Sequence, residues 1–263
     1  MQTLPTMIDK MRAGQVCIGT GITFTDATVS EALASAFDFL WIDMEHNALS
    51  LENVQAHLIA MKGADCTPIV RVPWNDPVLI KPVLDVGAPA VVVPMIRTVE
   101  DVRLAVSACL YPPDGIRGYG PRRPSNYARL GGPEFCKAAN DAMIVAVQIE
   151  HIDAVNNLDG ILAVPGLSAI LVGANDLSGS MGLMAQSRHP DVMRAIDTVV
   201  EKARRAGIPV GTASGSQPEH IAEWIDKGMQ WIMVGVDYTL MLEQADRIVG
   251  QARQHAKEPR PTN

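Results

Sequence analysis

Apolar residues along this chain fall into eight short runs separated by longer stretches of mixed polarity. The runs occupy residues 16–18, 39–43, 68–72, 90–95, 143–149, 168–172, 208–212 and 231–236. They are rich in β-branched side chains and nearly free of charge, the pattern of strands buried on both faces. Helical periodicity and good helix formers fill the segments between, as at 31–36, 51–62, 99–109, 192–206 and 218–227. Ser50-Leu51-Glu52-Asn53 and Ser216-Gln217-Pro218-Glu219 read as helix starts. Gly207 and Gly228 read as glycine stops before the next strand. Eight β/α alternations without a break in composition predict one parallel sheet closed into a (β/α)8 barrel of the TIM type. The expected organisation is a single barrel domain over 1–263, with a polar tail from about 254. A doubly wound open sheet is the alternative. It would carry Gly-x-Gly-x-x-Gly after its first strand, and Gly19-Thr20-Gly21-Ile22-Thr23-Phe24 lacks the third glycine.

Composition narrows the partners. A chain of 263 residues with 48% hydrophobic content can bury a large core and suits either one α/β barrel or two smaller domains. Its net charge of −7 argues against nucleic acid or an anionic membrane, since phosphate backbones need a basic stripe. A dense cationic spot is Arg117 with Arg122 and Arg123, too small for such a stripe. Apolar runs such as that around Val91-Val92-Val93 fall well short of the roughly 18 residues that span a bilayer. Met1-Gln2-Thr3-Leu4-Pro5 lacks a basic patch followed by an apolar stretch, so no signal peptide is expected and the location expected is cytoplasmic. The four cysteines, Cys17, Cys66, Cys109 and Cys136, are scattered without a CxxC and read as free thiols in a reducing compartment. One connection stands out by length: residues 111–141 are rich in Pro, Gly and Arg. It is expected to be a functional loop leaving the rim after the fourth strand.

Chemistry collects at the predicted strand ends. The fifth strand runs out in Gln148-Ile149-Glu150 and the sixth in Gly173-Ala174-Asn175-Asp176. The two acids are 176 − 150 = 26 residues apart, about one strand–helix–strand step, which places them on the same rim, able to share one divalent cation. The second strand ends Asp43-Met44-Glu45-His46, and the third ends Arg71-Val72-Pro73. Gathering that many charges without a ligand is expensive. Oxygen ligands favour magnesium or manganese, which keep positions open for water and substrate. A 2-oxo acid could chelate such an ion, an arginine could stabilise the enolate oxygen, and a histidine could move the proton.

These motifs, with Tyr111-Pro112-Pro113-Asp114-Gly115-Ile116-Arg117-Gly118 and Gly173-Ala174-Asn175-Asp176-Leu177-Ser178, resemble the HpcH/HpaI family of metal-dependent class II pyruvate aldolases. The match runs from about Gly14 to Leu242. Members cleave 4-hydroxy-2-oxo acids, such as 4-hydroxy-2-oxoheptanedioate and 2-dehydro-3-deoxyglucarate, to pyruvate and an aldehyde. The resemblance implies Glu150 and Asp176 as ligands of Mg2+, Mn2+ or Co2+. It implies His46 as the proton acceptor for the substrate 4-hydroxyl, Asp85 as the acid behind that histidine, and Arg71 as the transition-state stabiliser. Gln148, Asn175 and Asp176 would hold the pyruvyl part, and Arg122 or Arg123 the distal group of the aldehyde. A homo-hexamer, a dimer of trimers with the C-terminal helix exchanged between neighbours, is implied as well.

Three departures from the family pattern stand out, and the first two bear on the acceptor side. Family members commonly carry Trp after the first strand, where Gly19-Thr20-Gly21-Ile22 has no aromatic. The loop after Gly118 is short and holds paired arginines. His151 follows Glu150 where a small hydroxylated residue is more familiar, and reads as a supporting residue rather than a catalytic one. CoA-ester lyases, decarboxylases and other C–C bond-forming relatives use the same enolate site and are the alternatives. The short chain and the Glu45-His46 pair favour the CoA-independent branch.

Overall fold

The computed structural model describes residues 7–257. Eight strands form its frame: β1 (Cys17–Ile22), β2 (Phe39–Asp43), β3 (Thr67–Arg71), β4 (Ala90–Ile96), β5 (Ile144–Ile149), β6 (Ala169–Val172), β7 (Val210–Ser214) and β8 (Trp231–Val236). All pair in parallel and in sequence order, and β8 returns to β1, closing the barrel. The helices are α1 (Met7–Arg12), α2 (Thr28–Leu33), α3 (Leu51–Ala60), α4 (Pro77–Asp85), α5 (Val99–Cys109) and α6 (Gly132–Ala142) in the first half. The second half has α7 (Ile152–Asn156), α8 (Leu158–Leu162), α9 (Ala174–Ser180), α10 (Pro190–Ala206), α11 (Pro218–Asp226) and α12 (Asp237–Lys257). Helix α12 runs through the start of the expected polar tail. The rest of that tail, and the amino-terminal segment read for a leader, lie outside the described residues. No described helix is long and apolar enough to cross a membrane.

Strand periodicity explains how the barrel fills. Phe39, Trp41, Ile69, Ala90, Val92, Ala146, Leu171 and Trp231 pack into one interior cluster. Their neighbours Leu40, Ile42, Val70, Val91, Val93, Val147 and Ile170 pack outward under the helices. Successive side chains on a strand face opposite ways, so one continuous apolar run feeds both cores. Helix α1 closes the amino-terminal end, with Met7, Ile8 and Met11 joining the interior cluster. Toward the other end the inward series turns polar: Trp41 is followed by Asp43, Ile69 by Arg71, and Ala146 by Gln148 and then Glu150. The site is therefore the top layer of the barrel's own interior.

Several local expectations need correction. The Gly19-Thr20-Gly21-Ile22 segment is not a loop but most of β1. Its glycines serve close approach: a Cβ at Gly19 would lie 2.4 Å from the Phe39 ring, and one at Gly21 2.6 Å from Val236. Strand β7 starts two residues later than its apolar run, because Ile208 closes α10, donating its amide to Ala203 after left-handed Gly207 (φ +69°). Ser50 does build a capping box with Asn53. Ser216 does not cap α11, which begins at Pro218, and its hydroxyl turns to Glu243 of α12 instead. The long connection does not leave the rim after β4. Helix α5 first carries the chain back to the amino-terminal end of the strands, so 111–131 lies at that end, and α6 takes up the remainder.

Candidate active site

Arg71 organises the polar top of the barrel. It is in register with Asp43 on the adjacent strand, and the two form a two-pronged pair: Nε to Oδ1 at 2.8 Å and Nη2 to Oδ2 at 2.7 Å. Asp43 is further fixed by the Asn47 side-chain amide (2.6 Å) and the Glu45 backbone amide (3.0 Å). The remaining Arg71 nitrogen, Nη1, donates to Gln148 Oε1 at 3.3 Å and lies 2.9 Å from Glu45 Oε2, an ion pair without hydrogen-bond alignment. Gln148 in turn donates to Glu150 Oε2 at 2.6 Å. Asp43, Arg71, Gln148 and Glu150 thus form one connected chain across three strands, beneath which the Arg71 guanidinium lies 5.4 Å from the Trp41 ring.

Glu150 is shaped from two sides. The β4–β5 register shifts between Val93 and Ile96, and Met95 adopts φ +57°, unusual for a residue with a side chain. That distortion aims the Met95 amide at Glu150 Oε1, 2.6 Å away. On the other side, Gly173 leaves the room Glu150 needs, since a Cβ there would stand 2.6 Å from Oε2. Burial raises the Glu150 pKa above the ordinary carboxylate value, and the negative charge of Asp176 adds to the rise. The Met95 amide, Gln148 and Arg71 oppose it. Burial also raises Glu45, with Arg71 opposing.

Asn175 and Asp176 stand in the first turn of α9 and, with Glu150, Gln148, Arg71 and His46, line one cavity of about 510 Å³. Five sequence-predicted site positions therefore converge with Asp176 at the carboxyl rim. His46 is 64% exposed at its side chain, and its acidic neighbour is Glu45 at 3.7 Å. Glu150 and Asp176 fit a divalent cation: burial and mutual repulsion drive Glu150 toward its neutral form, which a cation would reverse. No cluster of three or more His, Cys, Asp or Glu able to hold a metal occurs among the described residues.

Three predicted residues lie elsewhere in the chain. Asp85 is the last residue of α4, whose carboxyl end leads into β4 and so sits at the amino-terminal end of the barrel. There it pairs with buried Arg117 at 2.9 Å rather than with His46. Arg123 donates to the Val86 carbonyl at 2.7 Å, and neither it nor Arg122 lines the cavity. The physical reason is shared: a helix following a parallel strand must run back, carrying its end away from the rim. His151 caps α7, its Nδ1 accepting from the Asp153 amide at 3.1 Å. Sequence reasoning passed over Trp41, Arg188, Ser214 and His220, which also line the cavity. Trp41 could have been found by counting two positions back from Asp43; Arg188 lies in an irregular segment with no periodic signal.

Comparisons with known proteins agree with this geometry. A family model described as HpcH/HpaI aldolase/citrate lyase matches residues 23–244. The chain is 39% identical over 252 residues, 94% of each chain, to a 4-hydroxy-2-oxo-heptane-1,7-dioate aldolase of Klebsiella pneumoniae. Among solved structures it is similar to an HpcH/HpaI aldolase/citrate lyase family protein from Burkholderia cenocepacia, with TM-score 0.89, 29% identity, and 94% of this chain and 98% of that one covered. An HpcH/HpaI aldolase from Desulfitobacterium hafniense gives TM-score 0.86 at 26% identity, over 98% of this chain and 99% of that one.

Proposed function

The chain belongs to the HpcH/HpaI aldolase/citrate lyase family, and from that premise we propose that it cleaves and forms 4-hydroxy-2-oxo acids, joining or releasing a 2-oxo acid such as pyruvate and an aldehyde. It is a carbon–carbon lyase of the aldolase type. The observation that carries the reading is the Glu150–Asp176 carboxylate pair, set in one cavity with the Arg71–Gln148 chain and His46. Glu150 and Asp176 would hold Mg2+, Mn2+ or Co2+, which supplies Lewis-acid polarisation of the substrate ketone when bound. The protein's own groups do the rest. Gln148, Asn175 and Asp176 orient the pyruvyl end. As the C3–C4 bond breaks, its electron pair moves toward the carbonyl, and Arg71 stabilises the negative charge gathering on the C2 oxygen. His46 takes the proton from the 4-hydroxyl, so the aldehyde leaves neutral.

Asp85 serves this chemistry across a subunit boundary in our reading. It cannot reach His46 of its own chain, because α4 carries it to the opposite end of the barrel. The face around it exposes Ile116, Tyr119, Tyr127 and Leu130, and α12 exposes Met241, Leu242, Ile248 and Val249. Such apolar surface favours association. We place these patches in a homo-hexamer of one-barrel subunits with exchange of α12, in which Asp85, Arg122 and Arg123 approach the open rim of a neighbour. All four cysteines are free thiols, suited to a reducing cytoplasm.

The test is aldol cleavage and condensation assayed with and without chelator. EDTA should abolish both, and magnesium, manganese or cobalt should restore them. Glu150→Ala should bind metal at least about tenfold more weakly, since half of the anionic pair is gone. Full activity without metal, together with a substrate adduct trapped on lysine by borohydride, would overturn the mechanism.

A further inference from the structure

Across the barrel from Arg71 the catalytic cavity has a second polar wall. Strands β3 and β7 are four apart in a closed ring of eight, so Ser214 at the end of β7 faces the Arg71 side. Ser187 and Arg188, between α9 and α10, and His220 of α11 complete that wall. Arg71 and Arg188 are the only arginine or lysine side chains among the described residues lining the cavity. Arg71 is held by Asp43, Glu45 and Gln148, and its remaining donors serve the C2 oxygen in the reading above. Arg188 is tied by a single nitrogen, Nη2, to Glu223 of α11 and is half exposed at the mouth. A guanidinium has five N–H donors in a rigid plane, so this one contact steadies the group and leaves donors for a second anion. The cavity, about 510 Å³, holds far more than a three-carbon fragment, so the rest of the substrate shares it with Arg188.

We infer that Arg188, with His220 and Ser214 beside it, is a specificity-determining subsite for a second carboxylate of the substrate, outside its pyruvyl part. This rests on the aldolase reading above. The carboxylate could belong to the aldehyde or to a longer 2-oxo acid donor, and three reactions of the full-length enzyme with Mg2+ separate these sources. The first joins pyruvate to an uncharged aldehyde. In the second the aldehyde has the same length and a terminal carboxylate. The third presents 2-oxoglutarate, whose second carboxylate is not β to the ketone and so is not lost, as donor with the uncharged aldehyde. Arg188→Gln should leave the first within about twofold while raising KM by about tenfold in the second or the third. The arm affected tells which partner carries the anion. Arg188→Lys should recover part of the loss, because it keeps the charge without the fork. Equal effects on all three reactions, or none on the last two, would overturn the subsite. A wild-type enzyme inactive in all three reactions would instead count against the aldolase reading.

Discussion

Arg71 lies inside the barrel with each guanidinium nitrogen engaged, two on Asp43 and one on Gln148. That fixed plane is what a developing oxyanion requires, because donors already in place need no reorganisation when charge forms. Lysine at this position would keep the charge near Asp43 but could not span Asp43 and Gln148 together. Arg71→Lys should therefore lower kcat by on the order of a hundredfold, about 3 kcal/mol of transition-state stabilisation. Metal affinity, read by calorimetry, should hardly change, because Glu150 and Asp176 remain. Unchanged turnover in a folded variant would reduce Arg71 to a structural partner of Asp43. Residues of this kind were legible in the sequence because they continue a strand's inward series past its apolar part. Glu45 and the Met95 amide were less so: their roles come from burial and from a positive φ at a register shift, neither of which leaves a mark in residue type.

At the scale of elements, the segment joining β1 to α2 is held down by its neighbours rather than by its own sequence. Asp237, at the start of α12, accepts from the Thr23 and Phe24 amides at 2.7 and 2.9 Å. His57 of α3, fully buried, bridges the Phe24 carbonyl (3.0 Å) and the Ser30 hydroxyl of α2 (2.8 Å). A carbonyl can only accept, so Nε2 carries the proton and Nδ1 accepts from Ser30, which is the neutral ring. Burial holds the His57 pKa below its ordinary 6.5, against the pull of the Phe24 carbonyl and of Asp237 and Asp26. The unfolded chain therefore binds more protons than the folded one between the two values. Stability from this group is complete above about pH 6.5 and is lost as pH falls toward the lowered folded value. His57→Phe should cost about 1–3 kcal/mol at pH 7.5 by leaving Phe24 and Ser30 unpaired, and should flatten the fall of Tm between about pH 6.5 and 5. A variant whose Tm keeps the wild-type slope would remove His57 from the account. None of this was visible beforehand, since a histidine inside a helical pattern gives no hint of its partners. Strand positions were far easier, because burial on both faces writes a continuous apolar run. The miss at β7 has the same origin: Ile208 is apolar to seal a helix end, and its type alone cannot separate that duty from a strand's.

For the whole molecule, the geometry that divides the site residues is the direction of the chain. Residues on strand ends meet at one rim, as Glu150, Gln148 and Arg71 do, whereas residues on helix ends and on the connection after α5 go to the other. Position along a β/α unit therefore foretells the end of the barrel, and applied to Asp85, Arg122 and Arg123 it sets them away from His46 of the same chain. What one chain's sequence does not write is the approach of a second copy, which would bring the two ends together. The proposal that Asp85 serves a neighbouring His46 has a direct consequence. His46→Ala and Asp85→Asn should each be impaired when made alone, the first more severely. Co-expressed, they should assemble mixed hexamers in which some sites draw an intact His46 from one chain and an intact Asp85 from the other. With free mixing of equal amounts, roughly a quarter of sites are intact (half times half) in a closed symmetric assembly. Activity of the purified mixed species should rise toward that fraction of wild type, above the average of the two variants. The same fractions run through size-exclusion chromatography with light scattering should elute as hexamers. No gain on mixing, or full activity in a wild-type monomer, would return Asp85 to the role its own chain shows, an ion-pair partner of Arg117.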